Sequence, residues 1–347
     1  PPPFPNLIRF SLDVGIHWKF EEQFRRHFSA MANPLIAVCQ MTSTSDKEKN
    51  LQTVSELAAK AKSRSACVAF FPEACDYLAD NKKDTIAMAQ PLNGPVVASY
   101  KEIAKANTIW LSLGGLHEVP DNKQCIHNTH ILINSDGEIV STYRKAHLYD
   151  MDNKSTGVRL MESDYVIPGE SIEPPVSTPV GKLALSICYD LRFPELSLAL
   201  RNMGAEILTY PSAFVYQTGA AHWEVLLRAR AIETQCYVVA AAQTGTHNKK
   251  RVSWGHAMII DPWGTVVAQC SDKTDVAVAE IHLDLLQQIR ENMPCENHRR
   301  TDLYPKMKRF KTLSLHFRNI HIYIYIYKTN IYYNTSYCTY CLMTDEY

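Results

Sequence analysis

The sequence contains no long apolar run and no excess of charge of either sign. Its apolar stretches fall short of the roughly 18 residues that a membrane-spanning helix needs. Lys plus Arg and Asp plus Glu number 36 each, a balance that is atypical of proteins that bind nucleic acids or other polyanions. With 46% hydrophobic and 21% charged residues, the composition is typical of a globular protein. We therefore expect neither a membrane nor a nucleic acid among its partners.

A paired cysteine framework is also missing. The ten cysteines are scattered, and most lie in apolar, strand-like segments. Because there is no secretory hydrophobic segment either, the pattern predicts reduced thiols in an intracellular protein, cytoplasmic or, as an alternative, mitochondrial. Cys338 and Cys341 form a Cys-x-x-Cys pair, but a tetrahedral zinc site needs a second pair. We expect no metal and no cofactor.

Three zones differ in character along the chain. Residues 1–33 show no clean hydrophobic periodicity and are interpreted as an N-terminal extension, either untranslated sequence before Met31 or a transit-peptide remnant. Residues 34–304 alternate between strand and helix patterns and predict one domain. Residues 305–347 form a low-complexity tail in which Ile322–Tyr327 alternates Ile and Tyr. Such a run is typical of an aggregation-prone edge strand, but it also resembles translated A/T-repeat DNA, and we favour this artefact.

The order of elements in the domain nearly repeats itself. Strand, helix, strand, helix, strand and hairpin run from 35 to 145, and a similar set runs from 182 to 281. The order predicts two mixed sheets with helices on their outer faces, and such sheets can pack face to face. We therefore predict an α/β fold with mixed sheets, built as a four-layer αββα sandwich.

Two reactive side chains stand where predicted strands end. Cys188 closes the apolar strand 182–188 and precedes a helix. Its thiol is therefore expected near the positive end of that helix, with a lowered pKa. Glu73 follows the apolar residues Phe70–Pro72, where partial desolvation is expected to raise its pKa towards the range of a general base. Taken singly, each has a structural alternative, a core thiol and a surface acid.

Lys145 stands at the end of a third predicted strand. It shares a face with Ile139 and Tyr143, which indicates the inner face of the sheet. A buried lysine needs a carboxylate partner, and Glu73 and Glu162 are available; a lysine that protects an edge strand is the alternative. A thiol, a carboxylate base and an ammonium group, with the backbone N–H after the cysteine, can attack a carbonyl and stabilise its oxyanion. A papain-like Cys–His pair is the other option, but its local signature is absent.

Three segments carry a family resemblance: Phe71–Glu73, Tyr143–Leu148 and Ile187–Glu195. In this order and spacing they resemble the signatures of the nitrilase, or carbon–nitrogen hydrolase, superfamily. The resemblance covers residues 34–304. It implies an αββα sandwich that pairs through its helices into a homodimer or a larger homo-oligomer.

The resemblance also implies roles for four residues. Glu73 matches the general base, Lys145 the oxyanion stabiliser and proton donor, and Cys188 the nucleophile. Glu162 matches a fourth acid that orients Lys145 and the substrate. The implied activity is hydrolysis of a small-molecule amide through a thioester. The remote alternative, a catalytically dead binding or scaffold protein, would be expected to have lost one of the first three.

The substrate is suggested by a narrower resemblance. The segments 210–214, 222–235 and 298–304 resemble the Nit branch of the superfamily. This implies hydrolysis of deaminated glutathione to 2-oxoglutarate and cysteinylglycine, with an ω-amidase that acts on 2-oxoglutaramate as the alternative. Tyr189 and Phe214 are the candidate substrate-binding residues.

One loop departs from the family pattern, and one fusion partner is not visible. The loop 149–159, which would line the substrate mouth, has more charge than expected and lacks an expected proline, so the substrate preference stays open. In insects and worms, similar Nit domains are fused to an Fhit-type nucleotide hydrolase. The His-x-His-x-His motif of that enzyme does not occur in this sequence. The tail is a candidate for sequence that replaces such a domain.

Overall fold

The computed structural model describes residues 33–120, 124–154, 158–303, 311–317, 320–327 and 330–335. Of the predicted N-terminal extension, only Asn33 lies inside the described residues. The chain divides into one unit that ends at Met293 and a second that begins at Pro294. The predicted domain limits at 34 and 304 stay predictions. No helix in the described ranges has the length and apolar character needed to cross a membrane.

The first unit contains sixteen described strands. They are β1 Leu35–Met41, β2 Ala66–Phe71, β3 Trp110–Glu118, β4 His127–Ile133, β5 Ile139–Arg144, β6 Asp150–Asn153, β7 Val158–Met161, β8 Val176–Thr178, β9 Gly181–Ala184, β10 Ile207–Thr209, β11 Tyr237–Ala240, β12 Ala242–Asn248, β13 Arg251–Trp254, β14 Met258–Ile260, β15 Val266–Gln269 and β16 Asp275–Glu280. Most of them build two mixed sheets. The first has the order β13-β12-β1-β2-β3-β4-β5, with β16 also beside β1, and the second has the order β15-β14-β11-β10-β9-β8.

The helices of this unit lie between these strands in sequence. They are α1 Lys47–Ser63, α2 Lys82–Met88, α3 Pro95–Asn107, α4 Pro194–Asn202, α5 Tyr216–Thr234 and α6 Leu283–Asn292, with short 3₁₀ turns at Glu162–Asp164 and Cys188–Arg192. The ends follow ordinary capping chemistry. Asp46 accepts a hydrogen bond from the Lys49 amide at 3.0 Å at the start of α1, and Pro95 occupies the first turn of α3.

The alternation of side chains along β1 explains the layers. Ile36 and Val38 pack into a core shared with the second sheet, whereas Ala37 and Cys39 face a second core that includes the buried residues of α1 and α3. On the far side, Trp223 of α5 belongs to the same core as the second sheet. The layers are therefore helix, sheet, sheet and helix, which confirms the predicted αββα sandwich.

Two predicted strands differ in the structure. Within the second set of elements, the sequence pattern predicts one strand over 236–243, but β11 lies in the second sheet and β12 in the first. Apolar patterning is the same in either sheet, so the local sequence does not show where the chain changes sheets. The strand expected at 182–188 ends at Ala184, although residues 185–187 stay buried. Helix α2 and the β6–β7 hairpin were not predicted.

The second unit contains three described strands, β17 Lys311–Phe317, β18 Ile320–Tyr327 and β19 Asn330–Thr335. They form an antiparallel sheet in the order β17-β18-β19. The Ile-Tyr run lies in β18. An edge strand was one interpretation of this run from the sequence, but β18 is the central strand of this sheet.

Candidate active site

The three predicted catalytic residues meet at the ends of strands from both sheets. Glu73 follows β2, Lys145 follows β5, and Cys188 follows the buried segment after β9. The Glu73 turn is tight: Ala74 has a φ of 59° and donates a backbone hydrogen bond to Gly115 at 2.9 Å. The structure therefore brings together residues that lie between 43 and 115 positions apart in the chain (145 to 188 and 73 to 188).

Lys145 is buried between two acids, as the sequence predicted. Its Nζ donates to Glu73 Oε1 at 2.9 Å and to both oxygens of Glu162 at 3.0 and 2.9 Å. Glu162 is fixed in turn by the Tyr149 backbone N–H, which donates to Glu162 Oε2 at 2.7 Å. The edge-strand alternative for Lys145 is wrong, because 2% of the residue is exposed.

The charge states of this pair differ from the expectation for Glu73. Burial by itself favours the neutral carboxyl group, but the Lys145 ammonium outweighs it and lowers the pKa of Glu73 to about 2. Burial likewise disfavours the Lys145 charge, but Glu162 and Glu73 together raise the pKa of Lys145 well above its usual value. The predicted increase in the pKa of Glu73 is therefore wrong, because it left out the ion pair with Lys145.

Cys188 is half-buried and begins a 3₁₀ turn with a φ of 45°. A non-glycine residue in this left-handed region costs about 1–3 kcal/mol. Burial and the neighbouring Glu73 carboxylate raise the pKa of the thiol, and Lys145 only partly opposes them. The predicted lowering of the thiol pKa is therefore wrong. The backbone places the two groups near each other, since the Cys188 amide donates to the Pro211 carbonyl at 2.9 Å and the Ala213 amide donates to Glu73 Oε2 at 3.0 Å.

Asp190 holds the strained turn against the loop of Lys145. It is fully buried. Its Oδ2 accepts from the Tyr143 hydroxyl at 2.8 Å and the Ile187 amide at 2.9 Å, and its Oδ1 contacts the His147 amide at 3.1 Å and Nδ1 at 2.7 Å. Asp190 therefore has a structural role, whereas the contacts given for Arg192 are with Tyr189, Phe214 and His222 at the rim.

His130 supports the same turn from the first sheet. It is fully buried in β4. Its Nδ1 lies 3.0 Å from the Ser186 carbonyl oxygen and its Nε2 lies 2.7 Å from Ser112 Oγ. The carbonyl requires Nδ1–H as the donor, so Ser112 donates to Nε2. Burial lowers the pKa of His130 to about 4, so the imidazole is neutral at physiological pH.

The rim of the site is aromatic and carries one cation. Tyr189 packs edge-on against Tyr149, with ring centroids 5.1 Å apart. The Arg192 guanidinium lies 5.9 Å from the Tyr189 ring and 5.5 Å from the Phe214 ring, and its nitrogens lie 3.3 Å from His222 Nδ1. Tyr189 and Phe214 therefore lie beside the nucleophile turn, although Phe214 is largely buried. Their predicted part in substrate binding stays a prediction.

Asn128 is a member of the cluster that sequence reasoning missed. It lies in β4 with 7% of its surface exposed. Its Nδ2 donates to Glu73 Oε1 at 2.9 Å and to Glu162 Oε1 at 3.2 Å. The sequence contains one signal for this residue, an amide side chain in a strand that ends in apolar residues. This signal does not identify the groups to which the amide donates.

Comparisons with known proteins agree with this geometry. The sequence profile of the carbon-nitrogen hydrolase family matches residues 35–291. The chain is 53% identical over 303 residues to the Drosophila melanogaster "nitrilase and fragile histidine triad fusion protein NitFhit", covering 86% of this chain and 64% of that protein. It is 54% identical over 274 residues to the Mus musculus "deaminated glutathione amidase", covering 78% of this chain and 84% of that protein. The crystal structure of the C. elegans NitFhit protein matches with a TM-score of 0.75 and 47% identity, covering 85% and 76% of the two chains.

Proposed function

The chain belongs to the carbon–nitrogen hydrolase family as an amidase of the nitrilase superfamily, and from this premise we propose that it hydrolyses deaminated glutathione through a Cys188 thioester. The proposal rests on one observation. A buried lysine keeps the Glu73 carboxylate ionised, since Lys145 Nζ lies 2.9 Å from Glu73 Oε1, and the segment 211–213 joins this carboxylate to the Cys188 turn through backbone hydrogen bonds. This arrangement gives the nucleophile, the base and the positive charge that amide cleavage needs.

In the first half of the reaction, Cys188 Sγ attacks the amide carbonyl carbon. Because the pKa of the thiol is raised, little free thiolate exists, so the proton passes to Glu73 as the S–C bond forms. The oxyanion is stabilised by the Lys145 ammonium and by the Tyr189 backbone N–H, for which no described residue is an acceptor. Collapse breaks the C–N bond, and the departing amine takes up the proton held by Glu73. Lys145 is the alternative donor of that proton.

In the second half, water hydrolyses the thioester. Glu73, ionised again, takes a proton from water as the oxygen attacks the carbonyl carbon. The same two donors stabilise the second oxyanion. The C–S bond then breaks and Cys188 recovers its proton from Glu73. The sum is one amide and one water converted to cysteinylglycine and 2-oxoglutarate.

Two observations support an anionic oxo-acid amide as substrate. The relatives named deaminated glutathione amidase are 54% identical over 274 residues. The Arg192 guanidinium lies at the rim beside Tyr189 and Phe214, where it can pair with a substrate carboxylate. A carboxylate is also present in 2-oxoglutaramate, which remains the second candidate.

Turnover of the two candidates, measured side by side, tests the substrate. We expect kcat/KM for deaminated glutathione to exceed that for 2-oxoglutaramate by at least about tenfold, because the larger substrate makes contacts that the smaller lacks. Intact glutathione, with an amino group in place of the keto group, is the control. A preference for 2-oxoglutaramate would overturn the substrate assignment, and no turnover of either would overturn the proposed function.

We also propose that the protein forms a homodimer or a larger homo-oligomer through α5. Val225 and Ile232 on this helix are 69% and 48% exposed, and Trp263 near the end of the helix is 61% exposed. Val225 and Ile232, seven residues apart, share one face of α5, and Ile232 lies against the turn at Gly264, which follows Trp263. Exposed apolar side chains grouped in this way favour an interaction surface.

The oligomeric state of an Ile232→Asp variant checks this. We expect light scattering after gel filtration to show a smaller species than the wild type, because a buried unpaired charge opposes association. Val252→Asp, at a similarly exposed residue (40%) of β13, is the matched control and should leave the size unchanged. A monomeric wild-type protein would contradict the proposal.

A further inference from the structure

The amide of Asn128 bridges the two acids that flank Lys145. Its Nδ2 lies 2.9 Å from Glu73 Oε1 and 3.2 Å from Glu162 Oε1. Lys145 Nζ contacts the same two oxygens at 2.9 and 3.0 Å. One ammonium and one neutral amide therefore link two carboxylates in a buried cluster of four side chains.

Counting hydrogen bonds shows what the amide does for Glu73. A carboxylate offers about four acceptor positions. Lys145 and Asn128 occupy those on Oε1, and the Ala213 amide donates to Oε2 at 3.0 Å. The position that remains is on Oε2, the oxygen that Ala213 holds, and it is available to accept a proton. With Asn128 in place, both acceptor positions of Oε1 are occupied, which holds the carboxylate in this orientation.

The charges of the cluster give the amide a second effect. Two carboxylates share a single ammonium, so the cluster carries a net charge of about −1, which favours uptake of a proton by one of the acids. A neutral N–H donor stabilises the ionised form of Glu73 without adding charge. The Cys188 thiol, the Arg251 guanidinium of β13 and the Tyr165 hydroxyl also interact electrostatically with Glu73. Arg251 acts in the same direction as Lys145.

The opposite end of the amide has no partner. Asn128 Oδ1 is buried and is the one buried side-chain N or O atom in the described residues without a hydrogen bond. Reversing the amide would place this oxygen against two carboxylate oxygens, so the orientation is determined by its neighbours. Gly115, which has a φ of 71°, provides the space for this oxygen. A Cβ at position 115 would lie 2.7 Å from Asn128 Oδ1 and 2.7 Å from Glu73 Cγ. An unpaired buried oxygen destabilises the fold, which indicates a use for the other end.

We propose that Asn128 is a positioning residue that holds Oε1 of Glu73 through its amide N–H and keeps the Glu73 carboxylate ionised. This role rests on the proposed function, because Asn128 acts on Glu73, and Glu73 is the base of the proposed reaction. It differs from a purely structural role in one respect. Removing the Asn128 N–H donor must change the pH at which Glu73 takes up a proton, and not only the stability of the protein.

The test compares Asn128→Asp, which has nearly the same shape, with the wild type in the full-length chain. In a ¹³C carboxyl NMR titration, the Glu73 signal is identified by its loss in Glu73→Gln. We expect no protonation of Glu73 above about pH 4 in the wild type, and protonation at least about one pH unit higher in Asn128→Asp, because a third acid joins the cluster. The acid limb of kcat/KM should move upwards with it.

Thr129→Val is the matched control. Thr129 is the next residue, is fully buried, and donates to a different acid, Glu118 Oε2, at 2.6 Å. Its loss should reduce stability without moving the Glu73 titration. If Asn128→Asp does not fold, Asn128→Ala, which removes the donor without adding charge, should shift the titration in the same direction by a smaller amount.

An unchanged Glu73 titration in a folded Asn128 variant would overturn the proposal. The NMR readout needs no substrate. If the wild type turned over no amide while the titration still shifted, the proposed function would fail and the effect of Asn128 on the ionisation of Glu73 would stand.

Discussion

Replacing Cys188 with alanine abolishes amide hydrolysis, with kcat expected to fall by about 10⁴-fold or more, the scale seen when a covalent nucleophile is removed. The reason is that the described site holds no second nucleophile beside Glu73. The contacts that hold the turn come from Asp190 and the backbone, so the variant should fold. The measurement is single-turnover hydrolysis of deaminated glutathione, with intact-protein mass spectrometry to detect the acyl-enzyme in the wild type.

A matched thiol is available as a control. Cys67 is half-buried in β2 and donates to the Leu35 carbonyl at 3.3 Å, away from the site. Cys67→Ala should keep wild-type turnover. Full turnover in Cys188→Ala, or a wild type that never carries an acyl group during turnover, would contradict the thioester mechanism.

Replacing Glu73 with glutamine lowers kcat/KM by about 10²–10⁴-fold, the usual contribution of a general base. Because the pKa of Glu73 is about 2, the carboxylate is ionised throughout the physiological range in the wild type. Glutamine cannot accept the thiol proton or activate water at any pH. The residual rate should therefore rise with hydroxide concentration, whereas the wild-type rate should be nearly constant from about pH 5 to 9, measured as a pH profile of kcat/KM.

Glu118→Gln separates this loss from simple destabilisation. Glu118 is as buried as Glu73, at 7% exposure each, and pairs with Arg144 at 2.7 Å. Its replacement removes a comparable ion pair outside the cluster, so it should lower the melting temperature and leave kcat/KM within about threefold of the wild type. Equal losses of activity in the two variants would show that Glu73 is structural.

Particular elements show how far local patterns reach. The spacing of Leu51, Val54, Leu57 and Ala58 predicts helix α1, and all of these except Leu51, which is half-buried, are buried in the structure. The switch between β11 and β12 was missed, since nothing local marks the point where Ser212 pairs with the Ala241 carbonyl across the strands at 2.9 Å. The β6–β7 hairpin was missed because its residues carry little apolar alternation.

The site likewise contains residues that local sequence predicted and one that it did not. Strand-end positions and the family resemblance predicted Glu73, Lys145, Cys188 and Glu162, and the structure brings all four together, although their roles stay proposals. Asn128 was missed because its importance depends on two acids that lie 55 and 34 residues away. The intracellular location also stays a prediction, although every cysteine of the described residues is a free thiol.

By itself, the sequence determined the family, the layered fold and which thiol, lysine and acids stand at strand ends, because these follow from short motifs and from hydrophobic periodicity. Only the tertiary structure decided the charge states. A carboxyl group beside an apolar strand is expected to bind its proton more tightly, and a thiol at a helix start to release it more easily. Burial of Cys188 beside Glu73 reversed the expectation for the thiol, and packing of Lys145 against Glu73 reversed that for the carboxyl group. Burial and the distances between charged groups depend on the tertiary structure and not on separation in sequence.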